Sequence, residues 1–154
     1  GKPLESICAS VKELALRNPK TPIVFPVHLN PCVQEAAKSL MGLDNILCIP
    51  PQEYPNFVWL MQHSHIILTD SGGIQEEAPT LGKPVIVLRN QTERMESIES
   101  SNGLIAGTDP NKVIQFTQTL LDDPTFYNKM STINSPYGDG NSSQKIIEQV
   151  IKQL

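Results

Sequence analysis

TDSGGIQEEAP, residues 69–79, decides the fold of this chain, together with GKP at residues 82–84. An apolar run at residues 66–68 precedes it, and a second apolar run at residues 85–88 follows it. The order of strand, glycine-bearing turn, short helix and strand is how an α/β fold directs free main-chain N–H groups at an anion. A carboxylate one turn further on can then bind a sugar diol. The stretch therefore predicts a nucleotide-sugar site.

Composition limits the function classes that need consideration. The chain has 154 residues, with 39% hydrophobic and 18% charged, which is typical of one globular domain that buries a core. No apolar stretch approaches the roughly 20 residues that a membrane helix needs, so no membrane association is expected. The formal net charge of -4 argues against a nucleic-acid binder, which needs a basic surface.

The cysteines are odd in number and lie in apolar or helical patterns, at Cys8, Cys32 and Cys48. Buried thiols in a reduced, cytoplasmic compartment are the simplest explanation. The chain has no C-x-x-C pair and no His/Cys spacing suited to zinc, so no metal site is predicted. Because the chain starts at Gly1 and enters a helical pattern directly, we expect a domain cut from something longer.

Strands and helices alternate along the chain. Short apolar runs predict strands at residues 22–27, 46–49, 65–69, 84–88 and 104–106, the first of them buried and the last at an edge. Helical spacing separates these runs, with helix starts indicated at Asn30-Pro31 and Asp109-Pro110, and a turn at residues 135–140 precedes a final helix. The pattern predicts an α/β fold with a doubly wound, Rossmann-like parallel sheet in one domain, residues 1–154.

Ser71, Gly72 and Gly73 are the first candidate site residues. Glycine lets the main chain approach an anion without a Cβ in the way, and the Ser71 hydroxyl can cap the following helix. The same three residues also occur in ordinary strand-to-helix turns. Their neighbours therefore have to support the phosphate interpretation.

Glu77 and Arg94 provide that support. A carboxylate accepts two hydrogen bonds side by side, which suits the vicinal hydroxyls of a ribose, and Glu77 lies far enough from Ser71 to clear a phosphate. Arg94 follows the next strand, at the carboxyl edge where ligands of such sheets bind, and its planar guanidinium can hold a diphosphate. The alternatives are a helix-dipole partner for Glu77 and a solvated surface arginine for Arg94.

Three further residues are candidates with weaker support. His28 follows the first strand and precedes a helix start, although lone histidines are more often structural. Gln52 and Phe57 could contact a flat uracil ring through polar and stacking interactions, although Phe57 alone would be assigned to the core. His63 and His65 lie at the opposite strand end and are interpreted as structural.

Long blocks of the sequence are similar to one known family. The blocks are residues 26–31, 49–54, 57–61, 68–84, 92–94 and 136–140. They resemble the C-terminal half of the non-hydrolysing UDP-N-acetylglucosamine 2-epimerases, and the resemblance runs nearly from end to end.

The resemblance implies a two-domain fold of the glycosyltransferase-B type, in which the C-terminal domain holds UDP. It implies an isomerase of polysaccharide biosynthesis that interconverts UDP-GlcNAc and UDP-ManNAc by eliminating UDP and adding it back, without a cofactor. Intact members are usually cytoplasmic homodimers. By motif, Ser71, Gly72 and Arg94 contact the diphosphate and Glu77 the ribose. Gln52 and Phe57 lie at uracil, and His28 faces the interdomain cleft, near substrate or an allosteric UDP-GlcNAc.

The departures from the family pattern matter as well. The N-terminal domain with its acidic acid/base residues is absent, as is the histidine-arginine-arginine-glutamate motif, so we expect the isolated chain to be inactive. The loop at residues 100–103, Ser-Ser-Asn-Gly, differs from the small-residue glycine turn expected there. Two alternatives remain: a free-standing UDP-sugar-binding module, and half of a glycosyltransferase of the same fold.

Overall fold

The structure, a computed structural model, describes residues 2–133, 137–138 and 140–153. Residues 135, 136 and 139 of the turn predicted at residues 135–140 lie outside these ranges. The described strands are β1 (Ile23–Pro26), β2 (Ile46–Ile49), β3 (Ile67–Thr69), β4 (Val85–Val87) and β5 (Gly103–Ile105). The described α-helices are α1 (Lys2–Arg17), α2 (Pro31–Ala37), α3 (Tyr54–His63), α4 (Gly72–Glu77), α5 (Met95–Glu99), α6 (Pro110–Asp122), α7 (Pro124–Met130) and α8 (Ser142–Lys152). Short 3-10 helices, Lys38–Leu40 and Ala78–Leu81, extend α2 and α4.

The strands pair in two parallel ladders. β1 pairs with β2, and β4 lies between β3 and β5. Thr69 at the end of β3 is opposite Val87 at the end of β4. The segments that follow these two strands therefore leave the sheet at the same edge, which brings residues 70–73 close to residues 88–94. The predicted parallel sheet is confirmed, and β5 is an edge strand as expected.

Side chains of the three-stranded sheet alternate between two apolar clusters. The first cluster contains buried residues of α1, α6 and α7, with sheet residues on one face: Leu68, Ile86, Leu88, Leu104 and Ala106. The second cluster contains residues of α3, α4 and α5, with sheet residues on the opposite face: Ile67, Val85, Val87 and Ile105. Since successive strand residues point to opposite faces, helices cover both sides of this sheet. The doubly wound arrangement is confirmed there.

The two-stranded sheet differs, and one prediction about it was wrong. Ile23 and Phe25 pack against the first cluster, as Ile46 and Cys48 do in β2. Val24 points the other way and is 41% exposed. The first strand is therefore buried on one face only, because no described helix covers the face of β1 and β2 that carries Val24.

The thiol prediction was also wrong in one part. All three cysteines are free, with Cys8 buried and Cys48 half-buried, but Cys32 is exposed near the start of α2. Burial of the Cys8 thiol, followed by the nearby Cys48, raises the pKa of Cys8 above its ordinary value. Cys32 was misassigned because it follows Asn30-Pro31 on the outer side of a short helix, where helical spacing alone does not fix the buried face.

The predicted helix starts are confirmed by their caps. The Asn30 side chain accepts a hydrogen bond from the Cys32 N–H at 2.9 Å, and Asp109 accepts one from the Asn111 N–H at 2.9 Å. Each cap satisfies a main-chain donor that the first turn of a helix leaves without a partner, and a proline occupies the next position in both helices.

The last helix contributes nothing to the core. Each described residue of α8 is exposed, including Ile146, Ile147, Val150 and Ile151. None of the helices in the described ranges is both long enough and apolar enough to cross a bilayer.

Candidate functional site

The turn between β3 and α4 is built by main-chain hydrogen bonds to side chains. Ser71 occupies the N-cap position of α4 with extended backbone angles (φ -83, ψ 130). Its own N–H donates to the buried Thr69 hydroxyl at 3.0 Å. The predicted cap by the Ser71 hydroxyl was wrong, because this side chain makes no capping hydrogen bond. The hydroxyl is therefore not committed to closing the helix.

Gly72 and Gly73 begin α4 in ordinary helical backbone. Neither residue is among the glycines with positive φ, so the fold does not require glycine here for its backbone angles. A Cβ added at Gly73 would meet nothing closer than the Ser71 Oγ at 4.0 Å. One added at Gly72 would lie 3.8 Å from the Arg94 guanidinium. The missing side chains therefore leave open space in front of the turn, beside a cation.

Arg94 comes to this turn from the loop after β4, as predicted, but its guanidinium is engaged by carboxylates. Its Nε donates to Glu76 Oε1, and its Nη1 donates to Glu93 Oε2 at 3.0 Å. The hydrogen bond and charge of Glu76, supported by Glu93, raise the pKa of Arg94. Both ion pairs are partly exposed, so water screens them and a more highly charged anion can compete for the guanidinium.

Two residues that link the turn to the Arg94 loop, Gln75 and Thr92, were missed as site residues. Gln75 is fully buried, and its carboxamide joins the Ser71 carbonyl to the Thr92 hydroxyl. The only sequence signal was an uncharged polar residue on the inner side of a short helix. Because Gln75 is four residues after Ser71, helical spacing predicts that its side chain lies near the Ser71 carbonyl. Its other partner, Thr92, is 17 residues away, and a local sequence pattern does not reveal that contact.

Glu77 lies at the end of α4 and has a partner that the sequence did not predict. The exposed Tyr54 hydroxyl donates to Glu77 Oε2 at 2.8 Å, linking α3 to α4. This hydrogen bond, and then the Glu77 charge, raise the pKa of Tyr54. The pair brings the helix that begins next to Gln52 against the helix that begins at the glycines.

The other candidate residues have contacts of their own. The Gln52 amide donates to the Pro50 carbonyl at 2.7 Å, and Phe57 is half-buried against the second apolar cluster. His28 is exposed after β1, and its Nδ1 accepts from the Asn30 N–H at 3.1 Å. This contact of His28 lies within the loop after β1. The roles assigned to these three residues stay predictions.

His63 and His65 have the structural contacts expected of them. The His63 ring stacks on Trp59 with centroids 4.0 Å apart, and the His65 ring stacks on Tyr127 at 3.8 Å. Among the described residues no cluster of three or more His, Cys, Asp or Glu side chains is arranged to hold a metal ion.

Two surface depressions lie away from this edge of the sheet. One, of about 570 Å³, is lined by Arg17 and residues of α6, and the other, of about 770 Å³, lies between α1 and α2. Neither includes a residue of the glycine turn or of the Arg94 loop. The glycine turn lies outside both depressions, and Gly73 is exposed.

Comparison with known proteins agrees with this architecture. The sequence profile of the family described as UDP-N-acetylglucosamine 2-epimerase matches residues 1–151. The UDP-N-acetylglucosamine 2-epimerase of Yersinia pestis is 48% identical over 149 residues, which cover 96% of this chain and 40% of that protein. The chain therefore spans about two fifths of the length of the curated relative.

Solved structures give the same result. The crystal structure of UDP-GlcNAc 2-epimerase from Neisseria meningitidis bound to UDP-GlcNAc superposes with a TM-score of 0.94 at 45% identity, covering 99% of this chain and 41% of that one. The co-structure of S. aureus MnaA with UDP superposes with a TM-score of 0.91 at 42% identity, covering 97% of this chain and 41% of that one.

The fold is thus the doubly wound C-terminal domain of the glycosyltransferase-B type of two-domain protein. Within that class, the chain belongs to the UDP-N-acetylglucosamine 2-epimerase family. The resemblance that the sequence motifs carried is confirmed.

Proposed function

We propose that this chain is the nucleotide-binding part of a UDP-N-acetylglucosamine 2-epimerase and that it holds the UDP of UDP-GlcNAc and UDP-ManNAc. The observation that carries the proposal is the open space in front of Gly72 and Gly73, next to the Arg94 guanidinium. Since the backbone does not need glycine there, a closely approaching ligand is the remaining reason for the missing side chains. Relatives bound to UDP-GlcNAc and to UDP support the choice of ligand.

In this proposal each candidate residue has a role set by its position. The Ser71 hydroxyl, the main-chain amides of Gly72 and Gly73, and the Arg94 guanidinium bind the diphosphate, which displaces the carboxylates now at Arg94. Glu77 binds the ribose hydroxyls. Gln52 and Phe57, at the start of the helix that carries Tyr54, contact uracil, and His28 faces the part of the protein that this chain does not contain.

The chemical contribution of this part is to stabilise a leaving group. When the bond between C1 of the sugar and the β-phosphate oxygen breaks, negative charge develops on the diphosphate, and fixed N–H donors and a cation lower the energy of that state. Removal of the C2 proton also needs a positioned base in a site closed to water. In this proposal the residues at the turn and Arg94 supply only donors for the diphosphate. The acid and base are therefore assigned to the remaining three fifths of the relatives' length.

The setting of the proposed enzyme follows from the same family. We propose a cytoplasmic isomerase that feeds polysaccharide biosynthesis. The three free thiols are compatible with a reducing compartment.

A glycine substitution tests the binding proposal. Gly73→Ala replaces a helical glycine by a better helix former, so the free energy of unfolding should stay the same or rise by about 0.5–1 kcal/mol. Its methyl group enters the space assigned to phosphate, so UDP affinity should fall tenfold or more. Asn111→Ala, at the same second position of α6, is the matched control and should leave UDP affinity unchanged.

The measurement is a UDP titration followed by amide chemical shifts, with thermal unfolding of the same samples. In the unsubstituted chain the shifts should concentrate at residues 71–77 and at Arg94. Shifts confined to other regions, or a Gly73→Ala chain that binds UDP as well as the original, would overturn the assignment.

A turnover assay tests the proposal that the acid and base lie outside this chain. The isolated chain incubated with UDP-GlcNAc should produce no UDP-ManNAc, as detected by separation of the two sugar nucleotides. Sustained conversion would contradict the assignment of the acid and base to the remainder of the protein.

A further inference from the structure

Gln75 is a buried polar residue that the proposed ligand contacts do not use. It is 0% exposed, whereas its neighbours Glu76 and Glu77 are partly exposed. Its carboxamide nitrogen donates to the Ser71 carbonyl at 3.1 Å, and its carboxamide oxygen accepts from the Thr92 hydroxyl at 2.7 Å. Both ends of the amide are therefore engaged, each by a different segment of the chain.

The hydrogen bonds continue on both sides of Gln75. On one side, the Ser71 N–H donates to the Thr69 hydroxyl at 3.0 Å, so the carbonyl and the N–H of Ser71 are both held. On the other side, the Thr92 hydroxyl accepts from the Arg94 N–H at 3.1 Å. Three side chains thus connect the glycine turn after β3 with the Arg94 loop after β4.

Packing alone does not call for this arrangement. Burying an amide costs free energy unless its hydrogen bonds are made, and an apolar side chain of similar size would fill the same space without that requirement. What the amide adds is geometry, because a fully satisfied buried hydrogen-bond network allows one arrangement of its members. The members here are the two segments that the proposed function assigns to the diphosphate.

We propose that Gln75 and Thr92 are positioning residues that hold the main-chain amides of the turn and the Arg94 guanidinium at a fixed separation, so that both meet one diphosphate. This inference rests on the proposed function. Donors fixed in advance need no reordering when the anion arrives, which raises affinity and supports charge stabilisation in the reaction. Neither residue touches the ligand; each acts through its neighbour.

The test uses the hydroxyl of Thr92. Thr92→Val keeps the shape and removes both hydrogen bonds, so the affinity of the chain for UDP should fall about three- to tenfold. Thr92→Ser keeps the hydroxyl and should bind UDP within about twofold of the original. UDP affinity is measured for both variants by amide chemical-shift titration, together with their thermal unfolding.

A double-mutant cycle separates positioning from general stability. If Thr92 acts through Arg94, then Thr92→Val should weaken UDP binding much less in an Arg94→Ala chain than in the original. A merely structural threonine would cost the same in both backgrounds.

Each outcome decides one of the two proposals. If Arg94→Ala weakens UDP binding but Thr92→Val does not, or if the two losses simply add, the positioning role is overturned and the proposed function stands. If the unsubstituted chain does not bind UDP, the proposed function fails, and the positioning role fails with it.

Discussion

The two sheets of this molecule are made from similar short apolar strands but are covered differently. Helices pack on both faces of β3–β5, and the central strand β4 is fully buried. The sheet of β1 and β2 has one packed face, while Val24 and Leu47, which are opposite each other in the register, are 41% and 52% exposed. The residues assigned to the diphosphate lie at the end of the fully covered sheet.

The difference indicates why the site is where it is. Donors that must stay in place are best attached to strands that are held from both sides, because close packing leaves their backbone little freedom to move. The half-covered sheet carries His28, whose hydrogen bond from the Asn30 N–H stays within the loop after β1. Val24 and Leu47 give that sheet an exposed apolar face, which no described helix covers.

A matched pair of valines gives the largest expected difference between the sheets. Val85 in β4 is 0% exposed, and Val24 in β1 is 41% exposed. Val85→Ala should lower the free energy of unfolding by about 2–3 kcal/mol, since it removes buried methyl groups and leaves a cavity. Val24→Ala should cost less than about 1 kcal/mol. Urea unfolding of both variants measures the difference, and equal losses would contradict the one-sided burial of β1.

A substitution in the turn that leads into β5 should change the free energy of unfolding by a smaller amount and in the opposite direction. Ser101 has φ 66, in the left-handed region that costs a non-glycine residue about 1 kcal/mol or more. A serine rather than a glycine at this position of the loop therefore has a structural cost at the edge of the covered sheet.

Ser101→Gly should stabilise the chain by up to about 1 kcal/mol, with part of the gain lost to the greater freedom of glycine in the unfolded state. Ser101→Ala is the control at the same position and should give no such gain. Thermal unfolding of the two variants is the measurement, and a stabilised alanine variant would show that the backbone angle is not the cause.

His65, which precedes β3, should give the smallest change in the free energy of unfolding. Partial burial of its ring, and then the charge of Lys83, hold the pKa of His65 below its ordinary value. In the unfolded chain His65 takes up its proton at a higher pH than in the folded chain. The free energy of unfolding should therefore decrease slightly as pH falls below about 6.5 and level off below the folded pKa.

His65→Phe keeps an aromatic ring against Tyr127 and removes the titration, so this part of the pH dependence should disappear. Unfolding curves recorded between about pH 7 and pH 5 on both proteins test it. An unchanged slope in the phenylalanine variant would assign the effect to another group.

Much of the fold was readable from local pattern. Alternating apolar runs and helical spacing predicted five parallel strands, and Asn30 and Asp109 marked two helix starts that the caps confirm. These features depend on neighbours within a few residues along the chain. The exposed side of β1 and the exposed Cys32 were misread because an apolar residue looks the same in a sequence whether or not a layer covers it.

The candidate site was readable as a set of residues but not as an arrangement. The residue types at the turn and the guanidinium of Arg94 are a property of the sequence, and so is family membership. The partners that orient them, Glu76 with Arg94, Tyr54 with Glu77 and Thr92 with Gln75, are 17 to 23 residues apart and meet only when β3, β4 and α3 converge at one edge. Short-range periodicity follows from backbone geometry, whereas hydrogen bonds between distant segments depend on how the packed layers bring those segments together.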